Sequence, residues 1–191
     1  RISPVFKSKK IFPGIISYLN PGCGFGGSCF PKDLSAIISF GDKQKEKMSL
    51  LKTVRSINKL QPSKIVKIIK KKFNNNLNGK KIAILGLAFK EGTDDMRESP
   101  SIPIISTLIA NKANIIAYDP VAAGEAKKIF SKKKIKYSRS LTSVVKNVEA
   151  VVILTPWPEF KNLHKIISRL KVKPLIIDGR RVLNKNNFSE Y

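Results

Sequence analysis

From Lys80 onward the chain alternates short apolar runs with amphipathic stretches, and this alternation constrains its fold more than any other feature. The apolar runs have the length of strands, and the stretches between them carry apolar residues at helical spacing. Strands separated by helices predict an α/β fold with a doubly wound parallel sheet. The predicted strands are Lys81–Leu85, Asn114–Tyr118, Ile135–Tyr137, Ala150–Leu154 and Pro174–Ile177, and the predicted helices are Pro100–Asn111, Val121–Phe130, Leu141–Lys146 and Phe160–Leu170.

In such a sheet ligands bind beyond the carboxyl ends of the strands, so the loops after Leu85, Tyr118, Leu154 and Ile177 are the candidate binding loops. The first of them, residues 86–92, lacks the G-x-G-x-x-G spacing of dinucleotide-binding loops. The predicted fold alone therefore does not identify the region from Lys80 onward as a dinucleotide-binding domain.

A helical segment precedes the sheet. The pattern predicts a short helix at Lys32–Phe40, an interruption at Gly41, and a long connector helix from Lys45 to about Phe73. Pro62 removes a backbone donor inside the connector and is expected to kink or split it. The predicted domains are residues 1–44, a remnant of a central region with a glycine-rich loop; residues 45–77, the connector helix; and residues 78–191, the sheet domain.

The glycine-rich loop at Asn20–Asp33 sets Cys29 immediately before a predicted helix start. Glycines let the backbone adopt positive φ and lie against a ligand, and Pro31 suits a first helical position. The positive end of the helix dipole and the nearby Lys32 favour the thiolate, so Cys29 is a candidate nucleophile. The alternative, on the cysteine and glycines alone, is a buried small residue beside a structural turn.

The net charge of +24, from 37 basic and 13 acidic residues, raises the question of a nucleic-acid or membrane partner. The lysines lie in short dispersed clusters without interleaved aromatic residues, a pattern typical of solvated surface. No apolar run approaches the roughly 20 residues of a membrane span, and no signal-peptide pattern is present, so a cytoplasmic globular protein is expected. Two cysteines spaced C-x5-C and one histidine predict neither a disulfide framework nor a metal site.

Four strings in the sequence are long enough to be specific. They are GFGGSCFPKD at 24–33, GKKIAILGLAFKEGTDDMRESPSI at 79–102, IIAYDPVA at 115–122 and IIDGRRVL at 176–183. In this order they resemble the nucleotide-sugar 6-dehydrogenases of the UDP-glucose/GDP-mannose dehydrogenase family. The resemblance covers nearly the whole chain and implies a Rossmann-like domain that binds a nucleotide sugar at residues 78–191.

The resemblance implies an NAD-dependent oxidation of the primary alcohol at C6 of UDP-glucose to an acid, with two NAD and one water. Cys29 would trap the intermediate aldehyde as a thiohemiacetal, and a second oxidation would give a thioester that water cleaves. Asp33, one helical turn from Cys29, would orient that water or the thiol. Beside Cys29, Lys32 and Arg97 match family residues that reach toward the cofactor NAD.

The resemblance also assigns residues to the nucleotide sugar. Phe89 and Lys90 would contact the base and diphosphate, and Arg180 would pair with the sugar nucleotide, because lysine and arginine suit diphosphate oxygens. Without the flanking motifs, surface charge and a core phenylalanine would be the alternatives. The sugar pocket would be lined by Asn20, Pro21, Gly22, Cys23, Gly24, Phe25 and Gly26.

The resemblance covers only the C-terminal half of such an enzyme. The family's NAD-binding domain is therefore expected to precede Arg1, and the chain by itself is expected to be inactive. A homodimer is implied, with an arginine that crosses into the partner's substrate; Arg1 matches that residue weakly, and Lys10 is the alternative.

Other readings stay open. GDP-mannose and UDP-N-acetylhexosamines are alternative substrates of the same class. A stand-alone nucleotide-sugar-binding module and a basic nucleic-acid-binding protein are alternatives of other classes, and the second predicts a steep salt dependence of binding.

Overall fold

The computed structural model describes residues 5–6, 9–10, 21–132 and 134–188, and a five-stranded parallel sheet lies at its centre. Val5–Phe6 (β1) and Lys9–Lys10 (β2) pair as a short antiparallel ladder near the start of the chain. The strands of the large sheet are Lys81–Leu85 (β3), Asn114–Tyr118 (β4), Ile135–Tyr137 (β5), Ala150–Ile153 (β6) and Leu175–Asp178 (β7). Their spatial order is β5-β4-β3-β6-β7.

Helices precede the sheet and connect its strands. They are Phe30–Lys43 (α1), Ser49–Lys72 (α2), Ser101–Ala110 (α3), Ala123–Ile129 (α4), Leu141–Val144 (α5) and Leu163–Ile167 (α6), with 3₁₀ segments at Pro158–Asn162 and Lys185–Phe188. None of the described helices is long and apolar enough to cross a membrane.

Two hydrophobic clusters cover the two faces of the sheet, because neighbouring residues of a strand point to opposite sides. Ile82 and Ile84 of β3 join a cluster that includes the second half of α2 and the buried side of α3. Ala83 and Leu85 join the other cluster, with α5 and α6. The predicted doubly wound α/β sheet is thereby confirmed, and α2 is one of its covering helices.

The helix expected at Phe160–Leu170 is confirmed only in its middle. A 3₁₀ segment and the five-residue α6 take its place. Phe160, Leu163 and Ile167 are all fully buried, so the apolar spacing correctly marked the buried face. A spacing of three residues fits a 3₁₀ turn as well as an α-helix, and the sequence pattern does not separate them here.

The expected break at Gly41 is also wrong, since α1 runs through Gly41 to Lys43. Gly41 is buried beneath Met48, and a Cβ at this position would collide with the Met48 side chain. The glycine therefore serves close packing between the end of α1 and the start of α2, and does not terminate the helix.

Pro62 does not split the connector helix, because α2 is continuous from Ser49 to Lys72 with Pro62 inside it. The residues that follow, Ile65, Val66 and Ile69, are buried against the sheet. Tertiary packing of this kind supplies most of a helix's stability and outweighs the one hydrogen bond that proline removes.

Glu149 ties together the amino ends of three neighbouring strands. Its carboxylate accepts the Lys81 N–H at 2.6 Å and the Lys80 ammonium at 3.0 Å, and its backbone carbonyl accepts the Leu175 N–H at 3.0 Å. The Lys81 hydrogen bond, followed by the Lys80 charge, lowers the pKa of Glu149. The ionised carboxylate is therefore the form that the folded state favours.

Replacing Glu149 by glutamine is expected to lower the free energy of unfolding at pH 7 by about 0.5–1 kcal/mol, a value discounted for the exposure of the carboxylate. Because folding lowers its pKa, Glu149 stabilises the protein above the ordinary glutamate range near ~4.3 and loses this effect as the pH falls through the lowered value. Urea unfolding of both proteins from pH 7 to pH 3 measures the difference. A difference that persists undiminished at pH 3 would contradict the assignment.

Candidate active site

The glycine-rich loop lies directly against the loop that follows β3. The Gly27 N–H donates to the Arg97 carbonyl at 2.8 Å, and a Cβ at Gly26 would overlap the Glu98 carbonyl. Gly27 has φ +91°, and a Cβ there would lie 2.9 Å from the Phe89 ring. Only glycine permits both the positive φ and the close approach. The glycine-rich loop and the loop after β3 can therefore pack together because Gly26 and Gly27 have no side chains.

Arg180, in the loop after β7, contacts the same glycine-rich loop. Its Nη1 donates to the Gly24 carbonyl at 3.4 Å, and a Cβ at Gly22 would lie 3.1 Å from that nitrogen. Cys23 lies between them, fully buried, with its thiol 3.7 Å from the Leu154 carbonyl. Burial raises the pKa of Cys23, while Arg180 opposes this shift, so Cys23 belongs to the wall of the site as a neutral thiol.

Asn58 of α2 is a site residue that the sequence reasoning missed. Its side-chain amide accepts the Phe25 N–H at 2.8 Å and donates to the Phe25 carbonyl at 3.0 Å, which fixes the middle of the glycine-rich loop. The N–H that would bond the Asn58 carbonyl within the helix belongs to residue 62, and proline lacks it. No local sequence pattern marks the Asn58 side chain, because its contacts are with a loop 33 residues away in the sequence.

Cys29 stands at the N-cap of α1 and is exposed. Its carbonyl accepts the Asp33 N–H at 2.8 Å, which places Asp33 one helical turn away, as predicted. The Ser28 hydroxyl lies 3.5 Å from the Cys29 sulfur. The Asp33 carboxylate pairs with Lys32 at 3.3 Å, and both side chains are exposed.

Arg97 is held in place by Asp95. The guanidinium makes paired hydrogen bonds to the Asp95 carboxylate at 2.8 to 3.1 Å. These bonds raise the pKa of Arg97 and lower the pKa of Asp95, and the charge of Cys29 adds a smaller upward effect on Arg97. The backbone of Arg97 is also tied to the glycine-rich loop, since its carbonyl accepts the Gly27 N–H.

Phe89 and Lys90 lie in the loop after β3, and the Phe89 side chain lies against Gly26 and Gly27 of the glycine-rich loop. Phe89 is half-buried, and the Lys90 ammonium lies 5.6 Å above its ring. Within the glycine-rich loop, the Phe25 ring packs edge-to-face on the Phe30 ring, with the ring centroids 4.6 Å apart. Pro21, near the start of the loop, is exposed.

Two predicted positions, Arg1 and Asn20, lie outside the described residues. Lys10, the alternative to Arg1, lies in β2, where the structure describes only the backbone. The other predicted positions lie in the loops after β3 and β7, in the glycine-rich loop, or in the first turn of α1. The structure thus brings residues from opposite ends of the sequence into one site.

Comparison with known proteins identifies the family. Residues 83–185 match the UDP binding domain of the UDP-glucose/GDP-mannose dehydrogenase family, and residues 3–60 match the central domain of that family. The chain belongs to the UDP-glucose/GDP-mannose dehydrogenase family. The family predicted from the four sequence motifs is confirmed.

Relatives and solved structures agree with this family. The chain is 43% identical over 169 residues to UDP-glucose 6-dehydrogenase of Rickettsia prowazekii, an alignment that covers 88% of this chain and 39% of the relative. A UDP-glucose dehydrogenase from Pyrobaculum islandicum superimposes with a TM-score of 0.77 at 33% identity, over 86% of this chain and 36% of that one. GDP-mannose dehydrogenase from Pseudomonas aeruginosa gives a TM-score of 0.73 at 26% identity, over 87% and 38%. The chain therefore spans about two fifths of the length of these family members.

The two cysteines are expected to differ in reactivity. Iodoacetamide should alkylate exposed Cys29 in the folded chain and leave buried Cys23 unmodified, because attack needs an accessible thiolate. Mass spectrometry of tryptic peptides measures the labelling, with Cys29→Ser and Cys23→Ser as matched controls. Equal labelling of both thiols in the folded chain would contradict the geometry, and unfolding in guanidinium should make them equal.

Proposed function

We propose that this chain is the C-terminal part of an NAD-dependent UDP-glucose 6-dehydrogenase, which converts UDP-glucose to UDP-glucuronate. The observation that carries the proposal is the position of the glycine-rich loop. Its middle contacts the loops that bear Phe89 and Arg180, and its end carries the exposed thiol of Cys29. A single loop thereby connects the groups proposed to hold a nucleotide sugar with the group proposed to react.

The proposed domains follow from the same arrangement. Residues 78–191 bind the nucleotide sugar, residues 45–77 connect, and residues 1–44 carry the reactive part of the central region. The UDP-binding family match at 83–185 lies within the proposed sheet domain, whereas the central-domain match at 3–60 runs past residue 44 into the connector helix. The connector helix α2 also contacts the reactive part of the chain, since the Asn58 side chain accepts a hydrogen bond from Phe25 in the glycine-rich loop.

Lys90 and Arg180 are the proposed cations for the diphosphate. A guanidinium has five N–H donors, so Arg180 retains donors after bonding the Gly24 carbonyl. The Phe89 ring offers an apolar surface for the base, with its exposed neighbour Lys90 above it. Pro21, Gly22, Cys23, Gly24, Phe25 and Gly26, with Asn20 before them, are the proposed lining of the sugar pocket.

The cofactor side of the site fits an anionic dinucleotide. Lys32 and Arg97 are cations whose side chains are 71% and 69% exposed, so phosphates can approach them from solvent. NAD, when bound, accepts a hydride in each of the two oxidations. Between these two oxidations, a residue of this chain, Cys29, is proposed to form a covalent bond with the substrate.

In the proposed mechanism, the thiolate of Cys29 forms a carbon–sulfur bond with the aldehyde left by the first oxidation. The former aldehyde oxygen takes up a proton, and the resulting thiohemiacetal then loses a hydride from carbon and that proton from its hydroxyl in the second oxidation and becomes a thioester. Water then attacks the thioester carbon, the carbon–sulfur bond breaks, and the Cys29 thiol and the carboxylic acid are released. Asp33, held one turn away by its backbone bond to Cys29, is proposed to orient that water or the thiol.

A homodimer in the cytoplasm is the proposed assembly and location. Large apolar side chains are exposed along the two N-terminal helices, including Phe40, Leu50 and Leu60, and such surface is typical of a protein contact. Both cysteines are free, which fits a reducing compartment.

The chain is expected to bind UDP, and Lys90→Ala is expected to weaken binding roughly tenfold through loss of a charged contact to phosphate. Isothermal titration calorimetry measures both affinities. Lys132→Ala, which removes an exposed lysine outside these loops, is the control for the loss of one charge from a strongly basic chain. Equal losses in the two variants would mean that Lys90 acts only through net charge.

The enzymatic proposal is tested with the chain produced together with the coding sequence upstream of Arg1. NAD is supplied with UDP-glucose, GDP-mannose or UDP-N-acetylhexosamines, and NADH is counted per sugar consumed. We expect two NADH per UDP-glucose, and loss of the second oxidation in Cys29→Ser. Lys132→Ala, an exposed position outside the site, is the control and should retain the full stoichiometry. NADH formation from GDP-mannose alone would reassign the substrate, and no NADH from any sugar would overturn the proposal.

A further inference from the structure

Asp119 is a buried carboxylate that holds three strand-end loops together. It follows β4 directly, is only 4% exposed, and accepts hydrogen bonds from five N–H groups. One oxygen accepts from Val121 and Ala122 in its own loop, at 3.0 and 2.9 Å. The other accepts from Leu87 at 2.7 Å and Ala88 at 3.3 Å, and from the Trp157 indole at 3.2 Å.

The donors come from loops after three adjacent strands. Leu87 and Ala88 follow β3, Val121 and Ala122 follow β4, and Trp157 follows β6. The three strands are neighbours in the sheet. An ionised carboxylate offers about four lone-pair sites, so five donors saturate it. A buried charge that is hydrogen-bonded to this extent is stabilised without a cationic partner.

The same two peptides of the β3 loop are also fixed through their carbonyls. The Leu87 carbonyl accepts from the Ser99 and Ser101 hydroxyls at 2.7 and 2.6 Å. The Ala88 carbonyl accepts from the Thr155 hydroxyl at 2.7 Å. All four polar groups of these peptides are therefore bonded immediately before Phe89.

In a dinucleotide-binding loop, the N–H groups that follow the first strand face a pyrophosphate. In this chain the N–H groups of Leu87 and Ala88 face the Asp119 carboxylate. The loop also passes too close to Thr155 to admit a ligand there, since a Cβ at Gly86 would collide with that residue. An internal anion thus occupies the place that a phosphate takes in related sheets.

We propose that Asp119 is a positioning residue for the nucleotide sugar, and that its carboxylate fixes the β3 loop so that Phe89 and Lys90 are presented to the nucleotide. This inference rests on the proposed function, because it assigns the nucleotide to those two residues. Because Asp119 is almost fully buried, it is proposed to act through the Leu87 and Ala88 peptides.

The test is UDP affinity of the 191-residue chain, measured by calorimetry on the unaltered protein, Asp119→Asn and Glu149→Gln. Asparagine keeps the size of aspartate but replaces one acceptor oxygen with a donor, which opposes an N–H group. We expect Asp119→Asn to bind UDP at least about tenfold more weakly. Glu149→Gln, which removes a carboxylate that binds a backbone N–H at the opposite end of β3, should bind within about twofold.

Circular dichroism and urea unfolding establish that each variant is folded under the binding conditions. If Asp119→Asn does not fold, Thr155→Val supplies the same test, because it removes only the hydroxyl that holds the Ala88 carbonyl. We expect about a fivefold loss of UDP affinity in Thr155→Val, corresponding to one hydrogen bond.

The outcomes separate the two proposals. If the unaltered chain does not bind UDP, the proposed function of the sheet domain fails, and this inference fails with it. If the unaltered chain binds UDP and folded Asp119→Asn binds it equally well, the proposed function stands and the positioning role of Asp119 is overturned. Where Asp119→Asn does not fold, equal binding by Thr155→Val overturns the fixed β3 loop on which that role depends. Equal weakening in Glu149→Gln and Asp119→Asn would also overturn it, since the effect would then follow stability.

Discussion

The site depends on the close approach of two backbones, at Gly26–Gly27 and at Arg97–Glu98. The contact is made by a hydrogen bond between main chains and by the absence of Cβ atoms, so no side-chain chemistry can substitute for it. Because the glycine-rich loop ends at Cys29 and leads into α1, this approach also sets where the thiol stands relative to the sheet. The glycine-rich loop and the loop after β3 therefore meet through their backbones, and the positions of the candidate site side chains follow from that arrangement.

The strands were the part of the fold most readily predicted from sequence. The bounds of β3, β4 and β5 agree with the predicted ones, because buried parallel strands appear as continuous apolar runs between polar loops. Gly41 and Pro62 were misread for one reason. Their local effect on a helix is unfavourable, but packing against Met48 in one case and against the sheet in the other decides the outcome, and packing is absent from a local pattern.

The candidate site divides in the same way. Residues within the specific strings, such as Cys29 and Arg180, were found from sequence and do converge in space, although their roles remain proposals. Asn58 and Asp119 were missed as functional positions, because an asparagine on an exposed helix and an Asp-Pro pair after a strand are ordinary surface and turn features. Their proposed importance lies in hydrogen bonds, part-buried for Asn58 and buried for Asp119, to loops 33 and about 30 residues away in sequence, which no local rule detects.

The cations of the site are held in two different ways, and this difference bears on what each can bind. Lys32 and Arg97 are each paired with a carboxylate of this chain, Asp33 and Asp95 respectively, so a phosphate that binds them must share or replace that partner. Arg180 is held by a neutral carbonyl, that of Gly24, and keeps its full charge for a ligand. Charge-assisted hydrogen bonds are strongest where the cation is not already neutralised. Under the proposed function, this difference favours a diphosphate at Arg180 over phosphates at Lys32 and Arg97, so that the sugar nucleotide would stay bound while the cofactor exchanges between the two proposed oxidations.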